Sequence, residues 1–563
     1  MDIKRILSEK IAIEGISPDE IYALMTTSAS SDLGDYSLPC FRFAKVLKTA
    51  PNKIAENLVA SFDGCEIVKK AEAVNGYLNI FVDTSKIAGE ILADARRSDY
   101  GKSDEGNGKT ICIDYSSINI AKPFHIGHLG TTAIGSSLYK LFKNLGYEVV
   151  GINHLGDWGT QFGKLIVAYD LWGDKEKIEK GGVEALQEIY VRFHREEENN
   201  PALTEEARKW FAKIEQGDKR ALELFHWFKD ITLAEVQKIY DRLNVKFDSY
   251  NGESFYNDKM APVLEELDRK GLIKESDGAK IVDLQEYGMP PCLLVKADGA
   301  TLYATRDLAA AFYRKKTYDF YKSLYVVAYQ QNLHFKQLFK VLEIMGCDWA
   351  KDCVHVAYGM VSLAEGSMST RKGNVVWLKS VLDKAVEKAY GIIEEKSPDI
   401  EDKQAVAEKI GVGAVIFSAL QNARIKDITF SLDKVLNFDG ETCPYLQYTV
   451  ARTNSVISKA GNSINARIMP DYSALDNDES RELIKLINGY PDIIRDAAEK
   501  YEPSLLSKYL INLAQAYNKF YFENRILDED LTKMLPRLYV TDATNKILKN
   551  GLSLLGIDAP EKM

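Results

Sequence analysis

This chain of 563 residues lacks long apolar runs and cysteine pairs, and it contains only seven histidines. No stretch approaches the roughly 20 apolar residues of a membrane span, and the N-terminus lacks the apolar segment of a secretory signal. The seven cysteines are scattered without the spacing of zinc ligands, so we expect reduced side chains in apolar surroundings. These absences argue against an exported, membrane-anchored or structural-metal protein. We therefore expect a cytoplasmic protein without a bound structural metal.

Positive charge is also in deficit, with 72 Lys and Arg against 82 Asp and Glu and a net charge of −10 at pH 7. Because the phosphate backbone favours positively charged partners, this balance argues against indiscriminate nucleic-acid binding. A local basic surface that recognises one folded RNA is still compatible with it. The hydrophobic fraction of 46% and the charged fraction of 27% are typical of a globular protein, and the length predicts about two to four domains.

The most informative segment is DYSSINIAKPFHIGHLG, at residues 114–130. An apolar run, KTICIDYS, predicts a buried strand at its start, and leucines at helical spacing follow it. His125 and His128 therefore lie where a strand turns into a helix N-terminus, whose free N–H groups and dipole favour a phosphate. Gly127 lets the backbone approach a nucleotide closely, and both imidazoles can donate to phosphate oxygens. The segment predicts an ATP site, although the tetrapeptide alone also occurs by chance.

Composition and periodicity predict four segments along the chain. Residues 1–95 have the pattern of a small α+β domain, and the polar stretch 96–109 is typical of a linker. Residues 110–375 are predicted to form a doubly wound, Rossmann-like α/β domain with a charged helical insertion at about 166–275. From 376 to 563 the amphipathic pattern predicts an all-helical bundle.

Apolar runs predict the strands of these domains. In the N-terminal domain, AVNGYLNIFVD predicts one strand and AKVLKTAPNKIAENLVASF predicts a helix. In the α/β domain, YEVVGINHLGDWGTQFG predicts a second parallel strand that runs into a Gly-rich loop. The runs GAKIVDL, CLLVKAD, SLYVVAY and VHVAYGMV predict the second half of the same sheet.

A polar and basic segment, SMSTRKGN at 367–374, follows the last of these runs. Such a loop, at the far side of the sheet, would bring cations to a triphosphate where charge develops during a reaction. The alternative is a solvated turn between a strand and a helix, which the segment alone favours.

Two further segments combine polar groups that suit a ligand. Tyr303 and Asp307 are four apart at a predicted helix start, and an aromatic ring beside a carboxylate suits a guanidinium. The alternative is a surface pair in which Arg306 neutralises Asp307. Gln331 and His334 follow a predicted strand, at the edge where open α/β sheets bind ligands, but they would also serve as helix caps.

Together these segments resemble the class I aminoacyl-tRNA synthetases, and among them the arginyl-tRNA synthetases. Residues 125–128 and 367–372 are similar to the two ATP-flanking motifs of the class, His-x-Gly-His and Lys-Met-Ser-Lys-Ser. Segments similar to those of the arginine-specific family are NHLGDWGTQFGKLI, GESFY, LYATRDLAAA, MSTRKGN, ETCPYLQYTVAR and the terminal GLSLLGIDAPEKM. The resemblance extends over essentially the whole chain.

The resemblance implies ATP-dependent activation of L-arginine and its transfer to tRNA-Arg, with Mg²⁺ entering with ATP and no resident metal. It implies a monomer that needs bound tRNA before it activates arginine. The implied arginine pocket consists of Asp114, Ser117, Asn119, Tyr303, Asp307 and Gln331. The implied ATP site consists of His125, Gly127, His128, Met368 and Ser369. The implied catalytic groups are Lys122, His125, His128, Arg371 and Lys372.

Each pocket residue has an implied role. Asp307 would hold the guanidinium, Tyr303 would pack on it, and Asp114 would add a second negative charge. Gln331 would bond a guanidinium nitrogen, while Ser117 and Asn119 would hold the α-amino or carboxylate end. A lysine ammonium cannot make the paired, coplanar hydrogen bonds of a guanidinium, so such a pocket would select arginine over lysine.

The chain departs from the family pattern at four positions. Ser367 stands where the class motif starts with Lys, and Lys122 is expected to replace that cation. Ile118 replaces a common Pro, Gly130 replaces an Arg after the His-Gly element, and Cys443 replaces a Gly. None of these changes removes a residue assigned to chemistry.

The N-terminal domain is expected to contact the outer corner of the tRNA, and the helical C-terminal domain to bind anticodon bases. The aromatic candidates for stacking on these bases are Tyr445, Tyr448, Tyr517 and Tyr521. In a helical bundle, each such residue more often belongs to the core. Two other functions fit parts of the sequence. A small nucleotidyltransferase would share the His-x-Gly-His element but not the flanking domains, and a non-catalytic protein would hold tRNA without charging it.

Overall fold

The computed structural model describes residues 1–28, 31–363, 376–438 and 440–563. The chain is divided into two compact units. The first comprises residues 1–100, 452–491 and 512–548, and the second comprises 101–451, 492–511 and 549–563. Within the described residues, none of the helices has the length and apolarity that crossing a membrane requires.

The N-terminal segment is α+β, as predicted. Its elements are α1 (Ile3–Lys10), α2 (Pro18–Leu24), β1 (Thr26–Thr27), β2 (Tyr36–Pro39), α3 (Ala44–Leu47), α4 (Pro51–Val59), β3 (Val68–Val74), β4 (Tyr77–Val82) and α5 (Thr84–Ala95). The strands form an antiparallel sheet in the order β1-β2-β4-β3.

Two local predictions in this segment are wrong. The predicted strand AVNGYLNIFVD contains a hairpin, because Asn75 and Gly76 adopt φ values of 49° and 81° and reverse the chain between β3 and β4. The predicted helix over 44–62 is interrupted where Lys48 enters the left-handed region, and Pro51 starts a new helix.

The remaining strands are β5 (Thr110–Asp114), β6 (Glu148–Ile152), β7 (Ile273–Ser276), β8 (Ala279–Val282), β9 (Cys292–Val295), β10 (Lys322–Tyr325), β11 (Cys353–His355), β12 (Val361–Leu363) and β13 (Ile428–Phe430). The remaining helices are α6 (Leu129–Asn144), α7 (Thr160–Trp172), α8 (Lys175–Glu197), α9 (Ala202–Glu215), α10 (Lys219–Arg242), α11 (Met260–Arg269), α12 (Tyr303–Tyr318), α13 (Asn332–Ile344), α14 (Leu378–Lys396), α15 (Lys403–Leu420), α16 (Leu432–Val435), α17 (Cys443–Ala460), α18 (Asp478–Glu499), α19 (Ser504–Glu523) and α20 (Leu531–Leu554).

A parallel sheet in the order β11-β10-β5-β6 forms the centre of the second unit. The predicted β5–α6–β6 unit is present, and helices α7 to α10 follow it before the chain returns to the sheet at β10. The order of the strands reverses between β5 and β10, so their carboxyl ends border the crevice where open α/β sheets bind ligands. The predicted doubly wound fold with a helical insertion is confirmed.

Two strand predictions need correction. GAKIVDL and CLLVKAD do not join the parallel sheet; they form β8 and β9 in an antiparallel sheet with β7. The turn at Asp277 and Gly278, both with positive φ, is too short for a parallel crossover and therefore imposes antiparallel pairing. The run VHVAYGMV starts in β11 of the parallel sheet, as predicted, but its last residue, Val361, begins β12, which lies outside that sheet and pairs with β13.

Candidate active site

The His-x-Gly-His element forms a short 3₁₀ turn between β5 and α6. The Nδ1 atom of His125 accepts the N–H of Gly127 at 3.1 Å, and the Nδ1 atom of His128 accepts the N–H of His125 at 3.2 Å. Because both Nδ1 atoms are acceptors, the proton of each neutral ring lies on Nε2. The network therefore sets both rings as Nε2 donors at the helix N-terminus.

Both signature histidines are neutral at pH 7. Burial lowers the pKa of His125 to about 4, and the charge of Lys122 lowers it further. Burial also lowers the pKa of His128 to about 3, with a further contribution from His125, whose ring centroid is 3.9 Å away. Neutral rings offer hydrogen-bond donors to phosphate oxygens without adding a charge that titrates near neutrality.

The loop before the signature is held by the segment after β6. Gly156 donates to the carbonyl of Ile118 at 2.8 Å and accepts the N–H of Ile120 at 3.2 Å, so it brackets Asn119. A Cβ atom on Gly156 would lie 2.4 Å from Oδ1 of Asn119, so only glycine fits beside this amide. Ile118 is buried, and its backbone bond keeps the turn in place without the usual proline of the family.

Asp307 lies one turn into α12, between two histidines. Its Oδ2 is 2.7 Å from Nε2 of His334, and its Oδ1 is 3.8 Å from Nε2 of His154. The Tyr303 ring, which is 58% exposed, packs edge-on against His334 with centroids 4.9 Å apart. The predicted shared face of Tyr303 and Asp307 is present, and both the exposed ring and the partly buried carboxylate are accessible to a ligand.

Charge at this carboxylate is controlled by its neighbours. Burial raises the pKa of Asp307, but the hydrogen bond and charge of His334, with smaller effects of His154, outweigh it and hold the pKa below its usual range. The surface-pair alternative is wrong, because Arg306 is buried and lies 3.6 Å from Glu253 instead of neutralising Asp307. Burial raises the pKa of Glu253 to about 7, which Arg306 partly offsets and Asp307 increases.

Asp114 differs from its expected state. Its Oδ2 accepts a bond of 2.7 Å from the fully buried guanidinium of Arg314, and its Oδ1 accepts the hydroxyl of Ser117 at 2.8 Å. Asp114 is therefore not a free second negative charge, and Ser117 bonds this carboxylate. Arg314 also lies 3.4 Å from Nδ1 of His154. A continuous polar chain thus runs from Asp114 through Arg314 and His154 to Asp307.

The other predicted residues are placed as follows. Gln331 is exposed directly before α13, at the carboxyl side of β10. Lys122 lines a cavity of about 450 Å³ that Trp158 and Lys164 also border. Met368, Ser369, Arg371 and Lys372, as well as Ser367, lie outside the described residues. The next described residue, Val376, accepts the N–H of Ile126 inside the signature at 3.1 Å.

Three residues of the candidate site, His154, Arg314 and Glu253, were not predicted from the sequence. His154 and Glu253 lie inside two segments similar to the arginine-specific family, which was the available signal. Arg314 lies in α12 seven residues after Asp307, and no local pattern distinguishes it from a surface arginine. Among the described residues, no group of three or more His, Cys, Asp or Glu is arranged to hold a metal ion.

The aromatic candidates in the helical domain differ in exposure. Tyr517 is completely buried, so it is a core residue and not a platform for a base. Tyr448 is 43% exposed in the second unit, and Tyr521 is 41% exposed in the first. In the first unit, the guanidinium of Arg452 lies 5.1 Å from the Tyr521 ring centroid.

Sequence families match nearly the whole chain. The profile of the class I (R) tRNA synthetase catalytic domain matches residues 89–432, the arginyl tRNA synthetase N terminal domain matches 1–82, and the DALR anticodon binding domain matches 446–563. Arginine–tRNA ligases of Halothermothrix orenii and Alkaliphilus metalliredigens are 49% and 50% identical, with complete coverage of both chains in each comparison. The solved Thermus thermophilus arginyl-tRNA synthetase is similar over 100% of both chains, with a TM-score of 0.83 and 25% identity. The chain therefore belongs to the class I arginyl-tRNA synthetases, the family that its motifs predict.

Proposed function

We propose that this protein activates L-arginine with ATP and transfers it to the 3′ end of tRNA-Arg for protein synthesis. One observation carries the proposal. A carboxylate suited to a guanidinium, Asp307, is bonded to His334 of α13, which follows β10, and a pair of neutral donors suited to phosphate, His125 and His128, follows β5 of the same parallel sheet. Relatives named arginine–tRNA ligase along the whole chain support the same reaction.

Asp307 is the proposed partner of the arginine side chain. His334 holds one of its oxygens and leaves the carboxylate ionised, while the exposed Tyr303 ring supplies a face for the planar guanidinium. Gln331 is proposed to accept from a second guanidinium nitrogen. Glu253, which is electrostatically coupled to Asp307, is proposed to replace Asp114 as the second carboxylate.

The other end of arginine is proposed to lie over the 115–122 loop. Asn119, fixed against Gly156, offers a side-chain amide there. Asp114 and Ser117 are proposed to line this end of the pocket, where the bond from Arg314 to Asp114 would limit the negative charge near the reacting carboxylate. This placement supports an α-amino contact to Asn119 and to the outer side of Asp114.

ATP is proposed to bind across the signature, with its phosphates at the N-terminus of α6. The Nε2–H groups of His125 and His128 would donate to phosphate oxygens, and Gly127 would allow close backbone approach. Lys122 is proposed to supply the cation that the class motif otherwise provides. Met368 and Ser369 are proposed to contact ATP, and Arg371 and Lys372 to add positive charge. Mg²⁺ enters bound to ATP as part of the substrate.

The proposed chemistry requires positioning more than acid–base catalysis. The arginine carboxylate, already ionised, attacks the α-phosphorus in line, and the bond to the β-phosphate oxygen breaks as pyrophosphate leaves. The 2′-hydroxyl of the terminal adenosine then attacks the carbonyl of the mixed anhydride, loses its proton and displaces AMP. Donors fixed before the reaction stabilise the charge that develops on the phosphoryl oxygens.

The tRNA is proposed to contact both flanking domains. The match of residues 1–82 to the arginyl tRNA synthetase N terminal domain supports contact with the outer corner, and the DALR match supports anticodon recognition. Tyr448 and Tyr521 are proposed as exposed stacking residues, each within its own unit. As a translation enzyme, the protein is proposed to act in the cytoplasm as a monomer.

The first test is arginine-dependent ATP–pyrophosphate exchange, with and without tRNA-Arg. We expect exchange only when tRNA is present. Exchange without tRNA would retain the activity and refute the tRNA requirement, whereas tRNA binding without any exchange would favour the non-catalytic alternative. Lys122→Ala should reduce exchange strongly. The control is Lys280→Ala, at an exposed lysine, which should leave exchange unchanged. Full activity of Lys122→Ala would refute the assignment of Lys122.

A further inference from the structure

The loop that carries Asn119 and Lys122 contains an unusual amount of unfavourable backbone. Ser116, Ser117 and Ala121 have φ values of 69°, 45° and 57°, in the left-handed region that residues with a Cβ atom rarely adopt. Such conformations persist only where surrounding contacts impose them, and they concentrate at functional sites. Ala121 immediately precedes Lys122, so its conformation sets the direction in which the chain presents that lysine.

A single hydroxyl holds Ala121 in place. The Oγ1 atom of Thr232 accepts the N–H of Ala121 at 3.0 Å and donates its own proton to the carbonyl of Phe228 at 2.8 Å. Thr232 is completely buried, and Ala121 is only 7% exposed, so water does not replace this bond. The threonine lies on α10, in the helical insertion, 111 positions along the chain from Ala121.

The same face of α10 also supports the neighbouring loops. The hydroxyl of Tyr240 is 2.8 Å from Oγ of Ser116, another left-handed residue, and accepts from the amide of Asn153 at 2.9 Å. One turn before Thr232, Lys229 is paired with the buried Asp157 at 2.7 Å. These contacts recur at helical spacing, which makes α10 a support for the loops after both β5 and β6.

We propose that Thr232 is a positioning residue for Lys122: its hydroxyl holds Ala121 in the left-handed conformation that directs Lys122 toward the ATP phosphates. Thr232 contacts no substrate and acts only through the loop. The inference rests on the proposed function, in which Lys122 supplies a cation during arginine activation. It assigns the helical insertion a direct part in assembling the ATP site.

Thr232→Val tests the proposal, because valine keeps the shape and removes the hydroxyl. We expect the kcat of arginine-dependent exchange to fall about 10- to 100-fold, the effect of a small misplacement of a reacting group. The KM for arginine should change less than about twofold, since the contacts of Asp307 and the Gly156 bonds that hold the backbone around Asn119 are untouched. Thr232→Ser, which restores the hydroxyl, should retain activity.

A glycine at position 121 distinguishes two causes of lost activity in Thr232→Val, namely a misplaced Lys122 and a less stable fold. Glycine adopts the left-handed conformation without the Cβ penalty, so Ala121→Gly should recover several-fold activity in the Thr232→Val background. Thr544→Val is the matched control, since Thr544 is also buried in a helix and donates to a carbonyl four residues earlier, Val540. It should leave exchange unchanged.

A double variant shows whether the effect passes through Lys122. Thr232→Val combined with Lys122→Ala should lose no more activity than Lys122→Ala alone, because the positioned group is absent. Additive losses would overturn the inference, as would an unchanged kcat in Thr232→Val or a loss explained by unfolding that Ala121→Gly does not recover. If Lys122→Ala itself is fully active, the assignment of Lys122 fails first and the inference fails with it.

Discussion

Asp307 is held between His334 and His154, and this arrangement leaves a fixed, ionised carboxylate beside the exposed Tyr303 ring. We predict that Asp307→Asn raises the KM for arginine about 10- to 100-fold, because a charge-assisted hydrogen bond contributes about 1.5–3 kcal/mol. The kcat should change less, since the lost contact is the same in the bound substrate and the transition state. Exchange kinetics with varied arginine measure both constants.

Asp283→Asn is the matched control for that substitution. Asp283 lies in the same unit and forms an ordinary pair with Lys274 at 2.9 Å, away from the histidine cluster. Its removal should leave both constants near their original values. An equal change in KM for both variants would show that Asp307 does not recognise the substrate.

The raised pKa of Glu253 leads us to predict that arginine binding depends on pH. Burial raises the pKa of the Glu253 carboxyl to about 7, so in the empty pocket the group is half protonated near that pH and mostly protonated at lower pH. A bound guanidinium favours the ionised carboxylate, and binding below pH 7 must therefore release the proton. The KM for arginine should rise as the pH falls through the pKa, approaching about tenfold per pH unit well below it, and should level off above about pH 8.

Glu253→Gln should remove this dependence while raising the KM at pH 8. The signature histidines do not confuse the measurement, because their pKa values of about 4 and about 3 keep both rings neutral across the tested range. A KM profile that is flat down to pH 5.5 in the original protein would contradict a role for Glu253 in binding.

Departures from the family pattern are accommodated by nearby residues. A Cβ atom on Gly130 would lie 3.1 Å from the Tyr358 ring, so this buried ring occupies the space that a larger side chain would need. Cys443 is buried against Gly413, where a Cβ atom would lie 3.1 Å from its sulfur. These contacts explain how the site tolerates residues that the family pattern does not contain.

At the scale of elements, α6 packs closely against the residue that follows β5, and this contact fixes the helix that begins at the His-x-Gly-His signature. A Cβ atom on Gly135 would lie 2.3 Å from Cβ and Cγ of Tyr115, the buried residue that follows β5. Gly135→Ala must therefore displace either the helix or the loop. We predict a loss of about 1–3 kcal/mol in the free energy of unfolding, the usual cost of overpacking, together with reduced exchange. Urea unfolding and the exchange assay measure the two effects.

Gly391→Ala provides the comparison, because Gly391 lies within α14 with open space where the Cβ atom would stand. Alanine there should be neutral or stabilise the fold by about 0.5–1 kcal/mol, since glycine is unfavourable inside helices. If both variants behave alike, the close approach of α6 to Tyr115 does not constrain the site.

The elements that sequence predicts best are those with a long, regular pattern. The apolar run of β5 and the helical spacing of α6 identify the signature correctly, because burial of one face is encoded locally. The run of β8 is as apolar as that of a parallel strand, and the short turn at Asp277 and Gly278, which joins β7 to β8, is the local feature that distinguishes it. The Asn75-Gly76 hairpin carried a similar signal that the apolar pattern concealed.

At the scale of the whole molecule, the missing information is long-range pairing. The spacing to Asp307 pointed to Tyr303 and the family resemblance pointed to Asp114, but the partner of Asp114, Arg314, is 200 positions away. Thr232 is similarly distant from the loop that it holds. Charge balance and spacing do not specify which buried groups meet, so the sequence names candidate site residues without predicting their ionic partners.

The C-terminal residues are also joined to distant parts of the second unit. The side-chain amide of Gln447, completely buried in α17, donates to the carbonyl of Lys409 at 2.9 Å and to that of Asp558 at 2.7 Å. Gln447→Leu would leave two carbonyls without this donor, so we predict a decrease of about 1–3 kcal/mol in the free energy of unfolding. Urea unfolding of the full chain measures this decrease.

Gln237→Leu is the control, on the exposed side of α10, where the side-chain amide donates to Asp241 at 2.8 Å. It should change the free energy of unfolding by less than about 0.5 kcal/mol. Equal effects of the two variants would mean that the link among α15, α17 and the C-terminal segment adds nothing to stability beyond a surface hydrogen bond.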